Sequence, residues 1–292
     1  MSPSSRRAVE AGARRRLVLC ADDYALAPGV SKAILDLIAK GRLSATSCMT
    51  ASRFWPEHAA WLRPLAGRAD VGLHLTLTDQ RPLTAAGRLT EDGRLPGIVR
   101  LTLRAYARRL DVGAVRRELD AQLDAFEASF GSPPQFIDGH QHVHQLPGVY
   151  PLVIEAMRRR LDRGRAWLRI CCEPPGRLLR RRVATVQALV IAGLGLELRA
   201  AARRAGLRTN SGFSGVTRFD LKDDFAALFA RFLAGAPDRS LIMCHPGWVD
   251  EALRRADPVT LRREDEYRYL AGDALPQTLA RARVQLARLY TL

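Results

Sequence analysis

The sequence predicts an α/β fold in which parallel strands form a barrel and helices cover its outside. Short apolar runs alternate with amphipathic helical patterns from one end of the chain to the other, which is typical of repeated β-then-α units. Six or seven such units favour a closed barrel over an open doubly wound sheet. No helix opens with a Gly-x-Gly-x-x-Gly or phosphate-loop sequence, which argues against a nucleotide site. The 292 residues, 47% of them apolar, suffice for one large core.

Six short apolar runs have the length and composition of buried strands in a parallel sheet. They lie at residues 17–21, 44–50, 71–76, 136–138, 167–171 and 241–244. The first is apolar throughout, and the second begins after Gly41, which ends the helix before it. The third precedes a stretch at 80–97 that proline and glycine mark as irregular.

Helices are predicted between the strands, where apolar residues recur every three or four positions. They cover residues 30–40, 57–65, 112–129, 150–160, 220–233 and 277–289, and a basic helical insert covers about 177–208. In the first helix Ile34, Leu37 and Ile38 share one face, and in the third the apolar positions are four, four and three residues apart. These elements predict a single domain at 17–292 behind a basic tail at 1–16.

Cysteine usage and the N-terminal composition predict a cytoplasmic protein. The five cysteines are an odd number in a long chain, and several fall in strand-like runs, so we expect reduced and mostly buried thiols. No Cys-x-x-Cys pair occurs, which argues against a thiolate zinc site. The basic N-terminal segment lacks the apolar run of a secretory signal.

The net charge of +16 is concentrated in one region. Only three of the 46 basic residues are lysines, a skew that GC-rich coding produces, so the total charge alone does not indicate nucleic-acid binding. Between residues 158 and 208, 14 arginines face three acidic residues, and they bracket an apolar run at 183–196. This run is too short to span a bilayer. It predicts either a helix on an anionic membrane surface or a helix hairpin packed on the domain with solvated arginines.

Histidines and carboxylates recur where predicted strands end, which is where functional side chains of parallel α/β folds gather. They are Asp22 and Asp23 after the first strand, His74 in the third, Asp138 and His140 at the fourth, and His245 after the last. Taken singly, each has a structural explanation, as a helix cap or as a histidine satisfied in the core. Together they predict a metal site, because imidazole and carboxylate are common ligands of divalent metals.

The segment Asp138-Gly-His-Gln-His-Val-His144 holds half of the six histidines. In an extended segment its aspartate and all three histidines would project to one face, since side chains of a strand alternate. In a regular strand, the neighbouring residues Asp22 and Asp23 would project to opposite faces. Both carboxylates therefore reach one site only if the chain turns there. His58, on a predicted helix, is expected at the surface.

Five motifs in fixed order give the chain a resemblance to the YdjC-like carbohydrate deacetylases, also called the ChbG/HpnK family. They are Ala21-Asp-Asp-Tyr24, His74-Leu-Thr-Leu-Thr78, Asp138-Gly-His-Gln-His-Val-His144, Asn210-Ser-Gly-Phe213 and Cys244-His-Pro246. The resemblance implies an irregular (β/α) barrel, TIM-like and NodB-like, that hydrolyses the N-acetyl group of an amino sugar with one divalent metal ion, Mg²⁺ or Zn²⁺.

Carried over by position, the resemblance implies Asp23, His74 and His140 as metal ligands, Asp22 as general base and His245 as general acid. Four further residues are candidates for supporting the ligands or contacting substrate: Asp138, His142, His144 and Asn210. The chain departs from the family pattern at Gln141, where histidine is frequent, and at Tyr24, where phenylalanine is frequent. The insert at 177–208 exceeds that of smaller disaccharide-acting members, which favours a lipid- or glycan-linked N-acetylglucosamine-type substrate.

Two other functions use the same features. A metal phosphoesterase on a β/α barrel would use similar ligands, but such sites hold two or three metals and more carboxylates. A basic protein without catalysis would bind a membrane surface or anions through 177–208. Nucleic acid is not expected as a partner, because the insert lacks aromatic residues between its arginines. The candidate partners are an N-acetylated sugar, the inner face of the membrane and a second copy in a homodimer.

Overall fold

The computed structural model describes residues 14–292, and a parallel sheet forms its centre. The strands are β1 (Arg15–Tyr24), β2 (Ala45–Cys48), β3 (Asp70–Leu75), β4 (Phe136–Gly139), β5 (Trp167–Leu168), β6 (Arg208–Thr209), β7 (Phe213–Ser214), β8 (Ser240–Cys244) and β9 (Val284–Leu286). All neighbouring strands run parallel, in the order β6-β5-β4-β3-β2-β1-β8-β7, and β9 pairs with the start of β1. The carboxyl ends of these strands therefore meet on one side of the domain.

Helices follow the strands along the chain. They are α1 (Pro28–Ala39), α2 (Trp55–Leu62), α3 (Ile98–Tyr106), α4 (Val112–Phe130), α5 (Tyr150–Arg160), α6 (Pro175–Arg181), α7 (Thr185–Leu194), α8 (Leu196–Arg204), α9 (Phe225–Leu233), α10 (Glu251–Ala256), α11 (Leu261–Ala271) and α12 (Ala274–Arg281). The predicted helices at 30–40, 57–65, 112–129 and 150–160 are confirmed. The helical nature of the insert is confirmed as well, since α6, α7 and α8 fill it.

The irregular barrel is confirmed, but its complete closure is wrong. Within residues 14–292, no backbone pairing joins β6 to β7, so the sheet is open along one seam. The side chain of Asn210 lies in this seam: its Oδ1 accepts from the Ile170 amide at 2.8 Å and its Nδ2 donates to the Ile170 carbonyl at 2.9 Å. One buried side-chain amide thus makes the two hydrogen bonds that a neighbouring strand residue would make.

The core supports the predicted state of the cysteines. All five are free and buried, as expected of reduced thiols in a strand-rich interior. Inside the barrel the rings of Phe136 and Trp167 stack with centroids 4.0 Å apart. Gly72 on β3 makes room for them, since a Cβ there would lie 2.5 Å from the Phe136 ring. The large aromatic pair fills the closed side of the barrel.

Several boundaries differ from the prediction. Arg15 and Arg16 already belong to β1, so the predicted tail at 1–16 ends earlier, and the rest of it, 1–13, lies outside the described residues. The strand at 167–171 stops at Leu168, and beyond it the backbone groups of Ile170 pair with the Asn210 side chain instead of a neighbouring strand. The helix at 220–233 begins at Phe225, where the Asp224 side chain caps it. The helix at 277–289 ends at Arg281 and gives way to β9.

His58 is not at the surface, contrary to its prediction. It is fully buried on α2, where Nδ1 lies 2.8 Å from the Ser31 hydroxyl and the ring stacks against Phe54 and Trp61. Burial lowers the pKa of His58 to about 4. The residue therefore acts as a neutral aromatic packing element between α1 and α2.

Candidate active site

A bulge at the end of β1 brings two adjacent carboxylates into one cavity. The pairing register with β2 shifts between Ala21 and Tyr24, and Asp23 has a φ of 66°, in the left-handed region. Both Asp22 and Asp23 line the same cavity and both are almost fully buried. The expectation that the chain turns at this pair is confirmed, since a regular strand would send one carboxylate to the opposite face.

His74, on β3, lies between two carboxylates. Its Nδ1 is 2.6 Å from Asp138 Oδ1 on β4, and its Nε2 is 3.3 Å from Asp23 Oδ1. Burial alone would lower the pKa of His74, but Asp138, Asp23 and Asp22 outweigh burial and raise it to about 10. Asp138 itself is fully buried behind the imidazole. It thereby fixes the ring with Nε2 directed toward Asp23.

The histidine cluster turns sharply after β4. Residues His140–Gln145 form a 3-10 turn in which Gln141 and His142 both have positive φ, at 51° and 62°. The extended segment with four side chains on one face is therefore wrong. His140 and His142 line the cavity, whereas His144 is fully buried outside it, with Nε2 3.1 Å from the Arg169 carbonyl.

The four candidates for supporting or substrate-contacting roles occupy different places. His142 faces the cavity with its Nδ1 3.5 Å from Cys171 Sγ, and burial lowers its pKa to about 3. Asp138 lies behind His74, and His144 lies beneath the turn. Asn210 pairs with the backbone of Ile170 next to the open seam and does not line the cavity. Of these residues, only His142 is positioned for direct contact with a bound molecule.

Asp23, His74 and His140 offer a set of ligand atoms that fits a divalent cation. One carboxylate oxygen and one nitrogen from each imidazole all lie within 4.8 Å of one another. The shortest approaches are 3.0 Å from His140 Nδ1 to Asp23 Oδ1 and 3.3 Å from His74 Nε2 to the same oxygen. Asp138 on the far nitrogen of His74 is the outer partner that metal-bound imidazoles usually have. Two nitrogens and one oxygen leave coordination positions open, as a hydrolytic metal site requires.

Arg169 is the main site residue that the sequence did not reveal. Its guanidinium lies fully buried, with Nη1 2.6 Å from Asp22 Oδ2 and Nη2 2.6 Å from Asp22 Oδ1. Nη2 also forms an ion pair with Asp138 Oδ2 at 2.6 Å and lies 3.0 Å from Cys20 Sγ. Cys20, Asp22 and Asp138 form a second group with metal-ligand spacing, but the guanidinium fills the space between them.

The charge of Arg169 decides the state of Asp22. Burial alone would raise the pKa of this carboxyl, but the ion pair and hydrogen bonds with Arg169 hold it well below its usual range. Asp22 is consequently a carboxylate at any physiological pH. Both its oxygens are engaged by the guanidinium, which fixes the carboxylate plane relative to the cavity.

Helix α11 supplies a second buried arginine and a buried acid, neither of which sequence patterns indicated. Arg263 Nη2 lies 2.7 Å from Asp23 Oδ2 and 2.5 Å from Asp257 Oδ2. Asp23 therefore has one oxygen held by Arg263 and the other directed toward the two histidines. Glu266 accepts a hydrogen bond from the His245 backbone amide at 2.6 Å, and burial raises its pKa to about 7.

His245 follows β8 and enters the cavity from the side opposite the histidine turn. Its ring packs edge-on against Phe219 with centroids 5.2 Å apart. Burial lowers the pKa of His245, and the nearby Asp23 and Asp22 oppose that effect only in part. The cavity between these elements has a volume of about 650 Å³, enough for a small saccharide end.

This geometry coincides with a family match. A family model described as YdjC-like protein matches residues 16–281. The chain belongs to the YdjC-like family. Curated relatives in this family include chitooligosaccharide deacetylases of Yersinia pestis (strain Pestoides F) and Yersinia pseudotuberculosis (serotype O:3), each 41% identical over 145 residues. That match covers 49% of this chain and 56% of each relative, so the chain spans about half the length of these relatives.

A solved structure shows that the whole YdjC-like fold is shared. The chain is similar to a putative cellobiose-phosphate cleavage protein from Enterococcus faecalis V583, with a TM-score of 0.72 and 19% identity. The likeness covers 96% of this chain and 99% of that protein. At this identity the comparison establishes the fold, including the open parallel barrel, and the chemistry depends on the residues described above.

Proposed function

We propose that this chain is a metal-dependent hydrolase that removes the N-acetyl group of an amino sugar. The observation that carries the proposal is the convergence of Asp23, His74 and His140 beside the buried carboxylate of Asp22 at the base of one cavity. The names of the relatives matched over about half their length, chitooligosaccharide deacetylases, support the same chemistry. The proposed ligands are Asp23, His74 and His140, with Asp22 as general base and His245 as general acid.

The ligand set is compatible with one cation per chain. Two imidazole nitrogens favour Zn²⁺ on grounds of ligand softness, whereas a mixed nitrogen and oxygen set also admits Mg²⁺. Such a cation would polarise the acetyl carbonyl and lower the pKa of a water molecule beside it. A phosphoesterase with two or three cations receives less support, because the second group with ligand spacing is occupied by Arg169.

Asp22 is proposed to take the proton of the attacking water. Its ionised state and fixed plane suit this role, because the carboxylate need not lose a proton or reorient before the reaction. The Arg169 guanidinium that fixes this plane also makes the Asp22 carboxylate a weak base before the reaction starts. The proton is therefore expected to move only as the water oxygen bonds to the acetyl carbon, when that oxygen becomes a stronger acid.

His245 is proposed to donate a proton to the sugar nitrogen. The C–N bond of an amide breaks only when the departing nitrogen is protonated, so a donor opposite the attacking water is required. Addition of water to the carbonyl carbon and cleavage of the C–N bond then give acetate and a free amine. The depressed pKa of His245 makes its protonated form a good donor.

A comparison of two variants tests the proposal. Asp22→Asn is expected to keep the cation and lose at least about 100-fold in kcat, because the proton acceptor and its ion pair with Arg169 are removed while the three proposed ligands stay. His140→Ala is expected to lose both cation and activity. Acetate release from a panel of N-acetylated oligosaccharides, measured with Zn²⁺ and Mg²⁺ in turn and paired with elemental analysis, gives both readouts. Full activity of the metal-free protein, or of Asp22→Asn, would refute the proposal.

A further inference from the structure

Helix α7 has its apolar side chains on the wrong face for an ordinary surface helix. Toward the domain it buries only Ala188 and Ala192, whereas Val186 is 70% exposed and Val190 is 57% exposed. Leu196, at the start of α8, is 60% exposed. A surface helix normally directs its large apolar residues inward and polar residues outward. Here the arrangement is inverted, so the outer face lacks the partner that its composition requires.

Helix α3 shows a second exposed apolar stripe nearby. Val99, Leu103 and Tyr106 are 71%, 65% and 54% exposed and are spaced four and three residues apart, which places them on one helix face. The two regions meet where Tyr106 and Glu197 line the same surface cavity of about 420 Å³. The outer apolar surface, as we call it, comprises the exposed side chains of Val99, Leu103, Tyr106, Val186, Val190 and Leu196.

The outer apolar surface borders the mouth of the catalytic cavity. On α7, the residues next to the exposed valines, Gln187 and Ile191, line the cavity that holds Asp22 and His140. The helix is also fixed to the histidine turn, because Gln145 Nε2 donates to the Ile191 carbonyl at 3.3 Å. One face of α7 thus forms a wall of the catalytic cavity, and the adjoining face, which carries Val186 and Val190, is open and apolar.

Arginines flank the outer apolar surface. A cavity of about 720 Å³ beside α6 is lined by Arg177, Arg180, Arg181, Arg182 and Arg231. Glu173 pairs with Arg177 and Arg181. The other three arginines form no ion pair with any carboxylate of residues 14–292, so their charge is free for an external anion.

We propose that the outer apolar surface and these arginines dock on an anionic membrane surface. Exposed apolar side chains enter the interface while arginines meet phosphate headgroups, which is how amphipathic helices bind bilayers. This inference depends only on the surface and not on the proposed deacetylase function.

Two other occupants fit the observations less well. The segment Thr185–Arg204 has the length and mean hydropathy, 1.3, of a membrane span, but Leu198 and Ala202 are fully buried against the domain and would have to be withdrawn from it. A second copy of the chain would bring like-charged arginine clusters toward each other on a protein of net charge +16. An anionic lipid surface is complementary in both apolarity and charge.

Vesicle co-sedimentation of the full chain tests the docking. Binding is expected to phosphatidylcholine vesicles with about 30 mol% phosphatidylglycerol, to weaken as salt rises, and to be absent with phosphatidylcholine alone. The double variant Val186→Ser with Val190→Ser is expected to lose at least about tenfold in binding, and the matched Val186→Leu with Val190→Leu to retain it. No binding of the wild-type chain to anionic vesicles, or equal binding of both variants, would overturn the inference.

A charge reversal supplies a second comparison. Arg180→Glu with Arg182→Glu is expected to abolish binding to anionic vesicles. Arg281→Glu with Arg283→Glu is the control, because both residues are exposed at the opposite end of the strands and Arg283, like Arg182, has a positive φ. Equal loss of vesicle binding in both charge-reversal variants would show that only the net charge of the protein matters. That result would overturn the assigned surface. Concentration-dependent dimerisation that the valine-to-serine variant abolishes, without vesicle binding, would assign the surface to a second copy instead.

Discussion

The guanidinium of Arg169 holds both carboxylate oxygens of Asp22, each at 2.6 Å, and Asp22 in turn lines the cavity that also holds His74 and His140. A buried pair of this kind contributes more to geometry than to stability, because desolvation offsets much of the attraction. Its consequence is that the proposed base has a fixed orientation and a fixed charge.

Arg169→Lys is expected to lower kcat at least about 100-fold with a small change in KM, because an ammonium cannot hold both oxygens at once. Arg169→Met is expected to lower stability by about 3–5 kcal/mol as well, since it leaves Asp22 and Asp138 unpaired in the interior. Steady-state kinetics and urea unfolding measure the two effects. Arg288→Lys, at the ion pair with the buried Asp70 away from the cavity, is the matched control, and an equal loss of kcat there would contradict the role of Arg169.

Asp138→Asn is expected to weaken cation binding by about 10–100-fold, because the partner of His74 Nδ1 loses its charge. His142→Ala is expected to keep one cation per chain and to change KM, since His142 faces the cavity beside Cys171. Titration calorimetry with Zn²⁺ measures cation binding in both variants, and steady-state kinetics measures KM. Loss of the cation in His142→Ala would show that His142 is needed to hold it and would contradict the proposed ligand set of Asp23, His74 and His140.

His245→Ala is expected to lower amide hydrolysis at least about 100-fold while sparing acetate esters of phenols. A phenolate departs without protonation, so the proposed donor is not needed for such esters. Parallel assays of an N-acetyl oligosaccharide and an aryl acetate give the ratio of amide to ester hydrolysis rates. Equal losses on both substrates would show that His245 has a role other than proton donation.

Glu266→Gln is expected to stabilise the protein at neutral pH and not at acidic pH. The folded pKa of Glu266 is about 7, against 4.5 in the unfolded chain, so the folded state binds the proton more tightly. Ionisation therefore costs the wild-type chain stability as pH rises from 4.5 to 7, amounting to about 3 kcal/mol. Unfolding free energies of both proteins across this range measure the difference. A constant difference between the two proteins would contradict the raised pKa.

Gly195→Ala is expected to destabilise the chain by about 1–3 kcal/mol through overpacking. An added Cβ would press on Gln145 Oε1 and lie 2.8 Å from Cys172 Sγ. Gly193→Ala is the control, because nothing lies within 4 Å of its added Cβ. Thermal unfolding of the two variants should differ accordingly, and equal melting temperatures would contradict the close packing of α8 on the histidine turn.

The site residues that the sequence predicted share one property: they lie in short motifs at the ends of apolar runs. Asp22, Asp23, His74 and His140 were found this way because strand ends in a parallel sheet converge. Arg169 and Arg263 had no such signal. Arginine is abundant throughout this chain, so a single buried arginine cannot be distinguished in the sequence from the many solvated ones.

Local backbone geometry also limited how much of the site could be predicted from the sequence. The histidine segment has the alternation of a strand, but positive φ values at Gln141 and His142 turn it after His140. Neither residue is glycine, so no composition cue marked the turn. Likewise, the strand predicted at 167–171 was apolar enough to continue, but the Asn210 side chain takes the hydrogen bonds of Ile170 that a neighbouring strand would make. The order of elements could be predicted, whereas these bends depended on contacts distant in sequence.

The seam between β6 and β7 also bears on solubility. Open sheets present unpaired backbone groups at their edges, and these groups can recruit strands from other molecules and start aggregation. Here each edge strand is only two residues long, and the amide of Asn210 already satisfies Ile170 beside it. The fold can therefore stay open along one side without offering a long template for intermolecular β-pairing.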